Sequence, residues 1–336
     1  MHKRLYIKKI FFFFVLFLTN IISAKEIRKK IIGILVRNTS IMIDDIFLKH
    51  HISPGHPESP DRIRAIQKAL KENKLDGINI KIDHRRNVKK WIRTVHTEDH
   101  FQSIKKNSPL AFKVSTTAVK ACLTATDEIM KGNSSNVFCA TRPPGHHALN
   151  TGKEEGFCYF NNIAITAKYI QQYYKLERIL IVDWDYHHGN GTQDMFYNDN
   201  TVLFFSTHDQ YAYPGTGAPE KKGISKGKGY NINIHLPCGT NDKKIVNVFE
   251  NILIPISDKF KPDMILISAG FDSKKDDPLG CFEISDNGFI ELTKIVMSIS
   301  KKYSNDRLIS ILEGGYNLKE NANAAIAHIK ALKNLV

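Results

Sequence analysis

Short, unbroken apolar runs alternate along the chain with segments of helical periodicity. Most of these runs lack the two-residue alternation of a half-exposed strand, which is typical of parallel strands covered on both faces. We therefore predict strands over Ile31–Val36, Val137–Ala140, Arg178–Asp185, Val202–Ser206, Tyr230–Leu236, Met264–Ser268 and Leu308–Leu312.

The intervening segments predict helices. The first begins at Ser59 and Pro60, a pair typical of a helix N-terminus, and Gly132 is placed to end a later one. After the first, the predicted helices cover Ser115–Lys131, Asn162–Tyr174, Asp286–Lys302 and Leu318–Leu332. Strands separated by helices imply parallel crossover units, and no repeat or long linker divides the chain. The sequence thus predicts one α/β domain of three layers with a mostly parallel central sheet.

The N-terminus follows a different pattern. Four basic residues precede an unbroken apolar run from Ile10 to Leu18, and small residues around Ala24 offer a cleavage site. This is the order of a secretory signal peptide, and the run is shorter than the roughly 20 residues that span a bilayer. We expect residues 1–24 to be removed on export to a periplasm or the exterior, leaving residues 25–336 as the catalytic domain with no stable membrane span. An uncleaved N-terminal anchor is the alternative.

Charge adds little to this picture. The formal net charge is +14 and falls to +10 without the four basic residues of 1–24. A surplus of that size attracts nucleic acid or anionic surfaces. The lysines are scattered, apart from the loop Lys221–Tyr230, and no nucleic-acid-binding motif accompanies them. We therefore expect a solvated basic surface and no nucleic-acid partner.

The cysteines are few and far apart. They are odd in number and contain no CxxC pair, so the pattern predicts neither a disulfide framework nor a cysteine zinc site. Cys139 and Cys158 lie in apolar runs and are expected to be buried packing residues. The full set is Cys122, Cys139, Cys158, Cys238 and Cys281.

Polar clusters follow five of the predicted strands at their C-terminal ends. In an open α/β sheet, ligands bind outside the carboxyl ends of the strands. The five segments are therefore expected to meet at one rim of the sheet. They contain His146 and His147, Asp183 to Gly191, Thr207 and His208, Asp272, and Glu313 to Tyr316.

These clusters offer the groups that a catalytic zinc site needs. Asp185 and His187 are two residues apart at a strand end and project to the same side, and Asp272 adds a third ligand. Two carboxylates and one imidazole leave zinc a position open for water and substrate. A histidine held near such water can move its proton. A phenol such as Tyr316, after two glycines, can donate to a developing oxyanion.

With these motifs the chain resembles the zinc-dependent histone deacetylase superfamily, which also includes acetylpolyamine and acetoin-utilisation-type amidohydrolases. It looks closest to the class II and bacterial branch. The resemblance covers about residues 50–320 in the order of the family. The matching segments are His56 to Arg62, His96 to Glu98, Arg142 to Ala148, Gly156 to Asn161, Asp183 to Gly191, Tyr213 to Gly217, Ser268 to Gly280 and Glu313 to Leu318.

The resemblance implies the arginase/deacetylase fold and a role for each residue of the catalytic set. One zinc per chain would be bound by Asp185, His187 and Asp272. His147 would act as general base and acid, and its neighbour His146 would pair with the buried Asp183. Tyr316 would stabilise the transition state.

The resemblance also implies residues for the substrate and for a second ion. Phe157 and Tyr213 match the aromatic walls of an acyl-lysine tunnel, although Phe is usual where Tyr213 stands. The carbonyl of Gly156 matches the acceptor of the substrate amide N–H, and Leu279 lies at the tunnel mouth. A structural potassium ion is implied at the backbone carbonyls of Asp185, His187 and Thr207 with the side chains of Asp183 and Ser206. Asn190 replaces the Asp that orients the second histidine in class I enzymes.

Three functions fit this reading. The chain is expected to be a zinc-dependent deacetylase that hydrolyses the linear amide of acylated lysine. The alternatives are an amidohydrolase of acetylpolyamines or other small molecules, and a non-catalytic protein that binds acylated ligands. Polyamine-specific relatives place an acidic residue where this chain has Leu279, so acyl-lysine is favoured. The complete catalytic set argues against a non-catalytic role.

Overall fold

The central sheet of the computed structural model has eight strands, all paired in parallel, within the described residues 38–75 and 79–336. In sheet order the strands run β2-β1-β3-β8-β7-β4-β5-β6. Residues 1–24 and the predicted strand Ile31–Val36 lie outside the described residues. The strands are Thr39–Met42 (β1), Asn79–Ile80 (β2), Asn136–Cys139 (β3), Ile179–Asp183 (β4), Val202–His208 (β5), Asn231–His235 (β6), Met264–Ala269 (β7) and Leu308–Leu312 (β8).

Helices flank this sheet and complete the three-layer α/β fold that the sequence predicts. A π-helical turn over Phe249–Leu253 joins the helices Asp242–Val248 and Ile254–Phe260, and short 3-10 turns lie at Asp45–Lys49 and Ser225–Gly227. The helices are Asp61–Glu72 (α1), Lys89–Ile92 (α2), Glu98–Asn107 (α3), Pro109–Met130 (α4), Asn162–Tyr174 (α5), Asn190–Phe196 (α6), Asp242–Val248 (α7), Ile254–Phe260 (α8), Asp286–Tyr303 (α9) and Leu318–Leu332 (α10).

Side-chain caps explain where several helices begin. Asn161, Ser285 and Asn317 each precede a helix and accept a hydrogen bond from a backbone N–H of its first turn, which would otherwise lack a partner. α1 begins at Asp61, one residue after the predicted proline start. α4 begins at Pro109, six residues before the predicted start at Ser115, because Pro at the first helical position fits there as well.

The middle of the sheet is buried on both faces, as the unbroken apolar runs predicted. Every residue of β4, β5, β7 and β8 is buried. The central strands are in register without a stagger at this end. Asp183 at the end of β4 pairs with Ser206 of β5 and with Ser268 of β7. The loops that follow these strands therefore begin at the same level on one edge of the sheet.

The structure contains a disulfide, which the pattern of cysteines in the sequence did not predict. Cys238, after β6, and Cys281 form a disulfide across a separation of 43 residues, with Cα atoms 5.1 Å apart. The spacing along the chain did not indicate this pair, because it depends on two loops that are distant in sequence coming together in the fold. Cys139 and Cys158 are buried free thiols, as predicted, and so is Cys122. Among the described residues, no helix is long and apolar enough to cross a membrane.

Candidate active site

Asp185, His187 and Asp272 lie together at the carboxyl end of the sheet. Asp185 and His187 follow β4, and Asp272 follows the neighbouring strand β7. One potential ligand atom from each residue lies within 4.8 Å of the others. The Nδ1 atom of His187 is 3.0 Å from Oδ2 of Asp272 and 3.2 Å from Oδ1 of Asp185. The structure thus brings together the three ligands that the sequence predicted.

The surroundings of this cluster fit a bound cation. Asp185 and Asp272 are completely buried, and burying two neighbouring carboxylates is costly unless a positive charge compensates them. Burial, followed by the charge on Asp185, raises the pKa of Asp272 to about 7. Glycines make room at the cluster: a Cβ atom on Gly270 would overlap Asp185, and one on Gly314 would overlap Asp272. This donor set of two carboxylates and one imidazole suits zinc.

The adjacent histidines have different partners. The Nδ1 atom of His146 lies 3.1 Å from Oδ2 of Asp183, and Nδ1 of His147 lies 2.7 Å from Oδ1 of Asn190. An amide oxygen can only accept a hydrogen bond, so the proton of neutral His147 is on Nδ1. Its Nε2 atom is then free to accept a proton.

Burial and charge drive the two histidines toward opposite protonation states. Burial lowers the pKa of His147 well below its usual value, and the charge on His146 lowers it further. Burial also acts to lower the pKa of His146, but the charges on Asp185 and Asp183 outweigh it and raise that pKa to about 10. Around pH 7 the electrostatics therefore favour a charged His146 beside Asp183 and a neutral His147.

Tyr316 lies in the loop after β8 and is nearly buried. Its backbone N–H donates to Oδ2 of Asp277 at 2.6 Å, and the guanidinium of Arg62 lies 4.9 Å from the centre of its ring. Burial raises the pKa of the phenol well above its usual value, although Arg62 acts to lower it. Gly315, with a φ of 117°, allows the chain to turn there without overlapping Asn321. The phenol stays protonated and can donate a hydrogen bond.

A network of buried charges positions these loops, and sequence reasoning gave its members no role. Glu58 is fully buried and accepts hydrogen bonds from Arg142 at 2.7 Å and from Arg62 at 3.3 Å. Arg62 also donates to the backbone oxygen of Gly315 at 2.6 Å. A second carboxylate, Glu313, accepts from the backbone N–H of Gly145 at 2.6 Å, just before the paired histidines. The only sequence signal was the position of these charges inside the motifs that carried the resemblance.

A cavity of about 490 Å³ adjoins the cluster, and His187 is the cluster residue that lines it. Phe157 and Tyr213 line its walls, and the apolar side chain of Leu279, 37% exposed, lies at the mouth. Gly156 also lines the cavity, with a backbone φ of 52°, and a Cβ atom there would overlap the rings of His147 and Tyr213. The predicted substrate residues therefore surround the same space as the predicted catalytic ones: His147, His187 and Tyr316 line it as well.

The predicted potassium residues also lie close to one another in the fold. Asp183 ends β4, and its partners Ser206 and Thr207 lie in the neighbouring strand β5. All three side chains are fully buried. Asp183 is bonded to His146 and to the backbone N–H of Asp185, and the hydroxyl of Ser206 lies 2.7 Å from Nδ1 of His208. The potassium site stays a prediction.

Comparison with known proteins places this arrangement in a family. Residues 56–332 match the family model of the histone deacetylase domain. A probable deacetylase of Archaeoglobus fulgidus is 36% identical over 296 residues, which cover 84% of this chain and 82% of the archaeal one. Histone deacetylase 15 of Arabidopsis thaliana is 35% identical over 88% of this chain, which spans 56% of the plant protein.

A solved structure agrees with these matches. The crystal structure of the HDA15 HD domain superposes with a TM-score of 0.82, at 34% identity, and covers 88% of both chains. Fold and sequence define the same class, the deacetylases built on a parallel α/β sheet. The chain belongs to the histone deacetylase family, and it is a hydrolytic deacetylase.

Proposed function

We propose that this chain is a zinc-dependent deacetylase that hydrolyses the amide of acylated lysine in peptides or proteins. The observation that carries the proposal is the cluster of Asp185, His187 and Asp272 beside a cavity that His187 lines. A zinc ion bound there would polarise the acyl oxygen and lower the pKa of a water molecule to about 7.

The side chains around the cluster supply the remaining chemistry. His147 is neutral, and its free Nε2 atom can take the proton of the attacking water and then deliver one to the leaving amine. Tyr316 stays protonated and donates to the oxygen on which negative charge develops. His146 is bonded to Asp183 and, when protonated, adds positive charge beside the reacting groups.

The cavity walls favour a lysine side chain. Phe157, Tyr213 and Gly156 line the cavity. The two aromatic rings would contact an aliphatic stem, and the carbonyl of Gly156 would accept the amide N–H, as the resemblance implies. Leu279, on its own side of the mouth, has no charge to match the free ammonium of an acylated polyamine. We also propose a structural potassium ion at Asp183, Asp185, His187, Ser206 and Thr207.

Metal analysis of purified protein tests the zinc site. We expect one zinc per chain in the wild type and loss of zinc in Asp272→Ala, because removing one of three ligands leaves an incomplete site. Asp99→Ala is the matched control, since Asp99 is an exposed carboxylate on α3. Both variants are first checked for cooperative thermal unfolding. Unchanged zinc occupancy in Asp272→Ala would remove Asp272 from the site.

We further propose that residues 1–24 direct export and are then removed. The support is the order of basic, apolar and small residues that ends at Ala24. N-terminal sequencing of protein isolated from its native host is expected to begin near Lys25. Full-length protein recovered only from the cytosol would contradict export.

A further inference from the structure

A carboxylate that the catalytic chemistry does not use lies on the cavity wall. Glu154 is half-buried and lines the cavity together with Phe157, Tyr213 and Leu279. Among the described residues that line this space, it is the only one with a carboxylate, because Asp185 and Asp272 are buried outside the lining. The other titratable side chains of the lining are two histidines and three tyrosines.

One oxygen atom of the Glu154 carboxylate has a structural role. Its Oε1 atom accepts a hydrogen bond from the backbone N–H of Phe157. Phe157 and Gly156 are the central residues of a tight turn and have φ values of 69° and 52°. The bond therefore helps to orient the aromatic wall. A glutamine would serve this purpose as well, because its carbonyl oxygen also accepts a hydrogen bond.

The carboxylate of Glu154 has no ion-pair partner in the part of the chain that the structure describes. In residues 38–75 and 79–336, no Lys, Arg or His side chain forms an ion pair with it. The adjacent Glu155 differs, because its Oε1 atom faces the ammonium of Lys153 at 3.9 Å, and it does not line the cavity. Among the described residues, Glu154 thus presents a carboxylate without an ion-pair partner to a molecule that enters the cavity. Attraction is stronger at such a half-buried position than in open water, because the effective dielectric constant is lower.

We infer that Glu154 selects substrates that carry a second protonated nitrogen outside the tunnel. The inference rests on the proposed function, since it requires the acylated amine to occupy the cavity. Leu279 leaves the other part of the mouth apolar, so the cation is expected on the Glu154 side. A basic residue beside the acyl-lysine of a peptide has the required nitrogen, and so has the free amino end of an acylated diamine.

Substrate pairs that differ only in this nitrogen test the inference. The first pair consists of two acetyl-lysine peptides, one with Arg and one with Gly beside the acetyl-lysine. The second pair consists of monoacetyl-diaminopentane and the N-alkyl acetamide of equal length, which lacks the free amine. The readout is the ratio of kcat/KM for the charged and the uncharged member, which cancels effects common to both. The proteins are zinc-loaded wild type, Glu154→Gln and the control Glu155→Gln.

We expect wild type and Glu155→Gln to prefer the charged member by about three- to tenfold, and Glu154→Gln to lose most of that preference. The wild-type preference is also expected to shrink between 0.1 and 1 M salt, where the screening length falls from about 10 Å to about 3 Å. A preference in the peptide pair would identify a basic residue of a peptide as the source of the nitrogen. A preference in the diamine pair would identify the free amine of a small molecule.

A wild type without preference in either pair would overturn the inference, and so would a preference that Glu154→Gln retains. Equal loss in Glu154→Gln and Glu155→Gln would overturn the assignment to Glu154, because the general negative potential of the loop would then be responsible. If wild type hydrolyses none of these substrates, the proposed function fails. In that case, dissociation constants of the charged and uncharged members are measured by calorimetry. Their ratio in each protein then tests the inference independently of turnover.

Discussion

His147 and Tyr316 face the same cavity with complementary hydrogen-bonding capacity. Burial lowers the pKa of the imidazole and raises that of the phenol, so both stay neutral over a wide range of pH. The neutral imidazole can accept a proton through Nε2, and the neutral phenol can donate one hydrogen bond. Desolvation therefore suits one group to act as a base and the other as a hydrogen-bond donor in the proposed reaction.

Tyr316→Phe separates the donor from the rest of the site. The ring remains, so zinc binding is expected to survive, while kcat for an acetyl-lysine peptide falls by roughly 10²- to 10³-fold. Tyr173→Phe is the control, because that tyrosine is 59% exposed on α5. Steady-state kinetics and zinc content are measured on the same preparations. Near-normal turnover in Tyr316→Phe would exclude the oxyanion role.

At the scale of elements, the strands that form the site were the easiest to predict. β4, β7 and β8 each combine an unbroken apolar run with an abrupt change to polar residues, so both the strand and its functional end are visible in the sequence. β1 and β2 were not predicted. β1 begins with the polar residues Thr39 and Ser40, which are nevertheless buried, and β2 has only two residues and therefore no pattern.

Features that depend on distant segments were not visible in the sequence. Helix α6 begins at Asn190, inside the polar cluster after β4, where the functional residues obscure any helical periodicity. The buried pair Glu58 and Arg142 reads as two surface charges until the fold brings them together across 84 positions. The disulfide between Cys238 and Cys281 has the same origin. Local sequence patterns predict helices and strands, whereas contacts between residues of distant loops become visible only when the fold is known.

On the scale of the whole molecule, buried histidines link stability to pH. His328 is fully buried between Thr293 and Ser310, whose hydroxyls lie 2.7 and 2.8 Å from its ring nitrogens. Burial lowers its pKa to about 3. Below about pH 6.5 the unfolded chain takes up a proton at this residue, and the folded chain does not until about pH 3. Stability must therefore fall as the pH falls through this window.

We expect this residue to account for about 2 kcal/mol of the unfolding free energy that the wild type loses between pH 7 and pH 5. His328→Gln should lose correspondingly less over the same interval, whatever its stability at pH 7. His51→Gln, at an exposed position, is the control for the substitution. Urea unfolding at the two pH values provides the free energies. Equal losses in wild type and His328→Gln would contradict a neutral buried His328.

In the proposed function, zinc bound at Asp185, His187 and Asp272 allows this chain to hydrolyse acyl-lysine. The most direct measurement is acetate release from an acetyl-lysine peptide by three states of the wild type: zinc-loaded, stripped by a chelator, and reloaded with zinc. We expect release in the first state, its loss in the second and its recovery in the third. Release that is indifferent to zinc, or no release from the fully zinc-loaded protein, would contradict the claim.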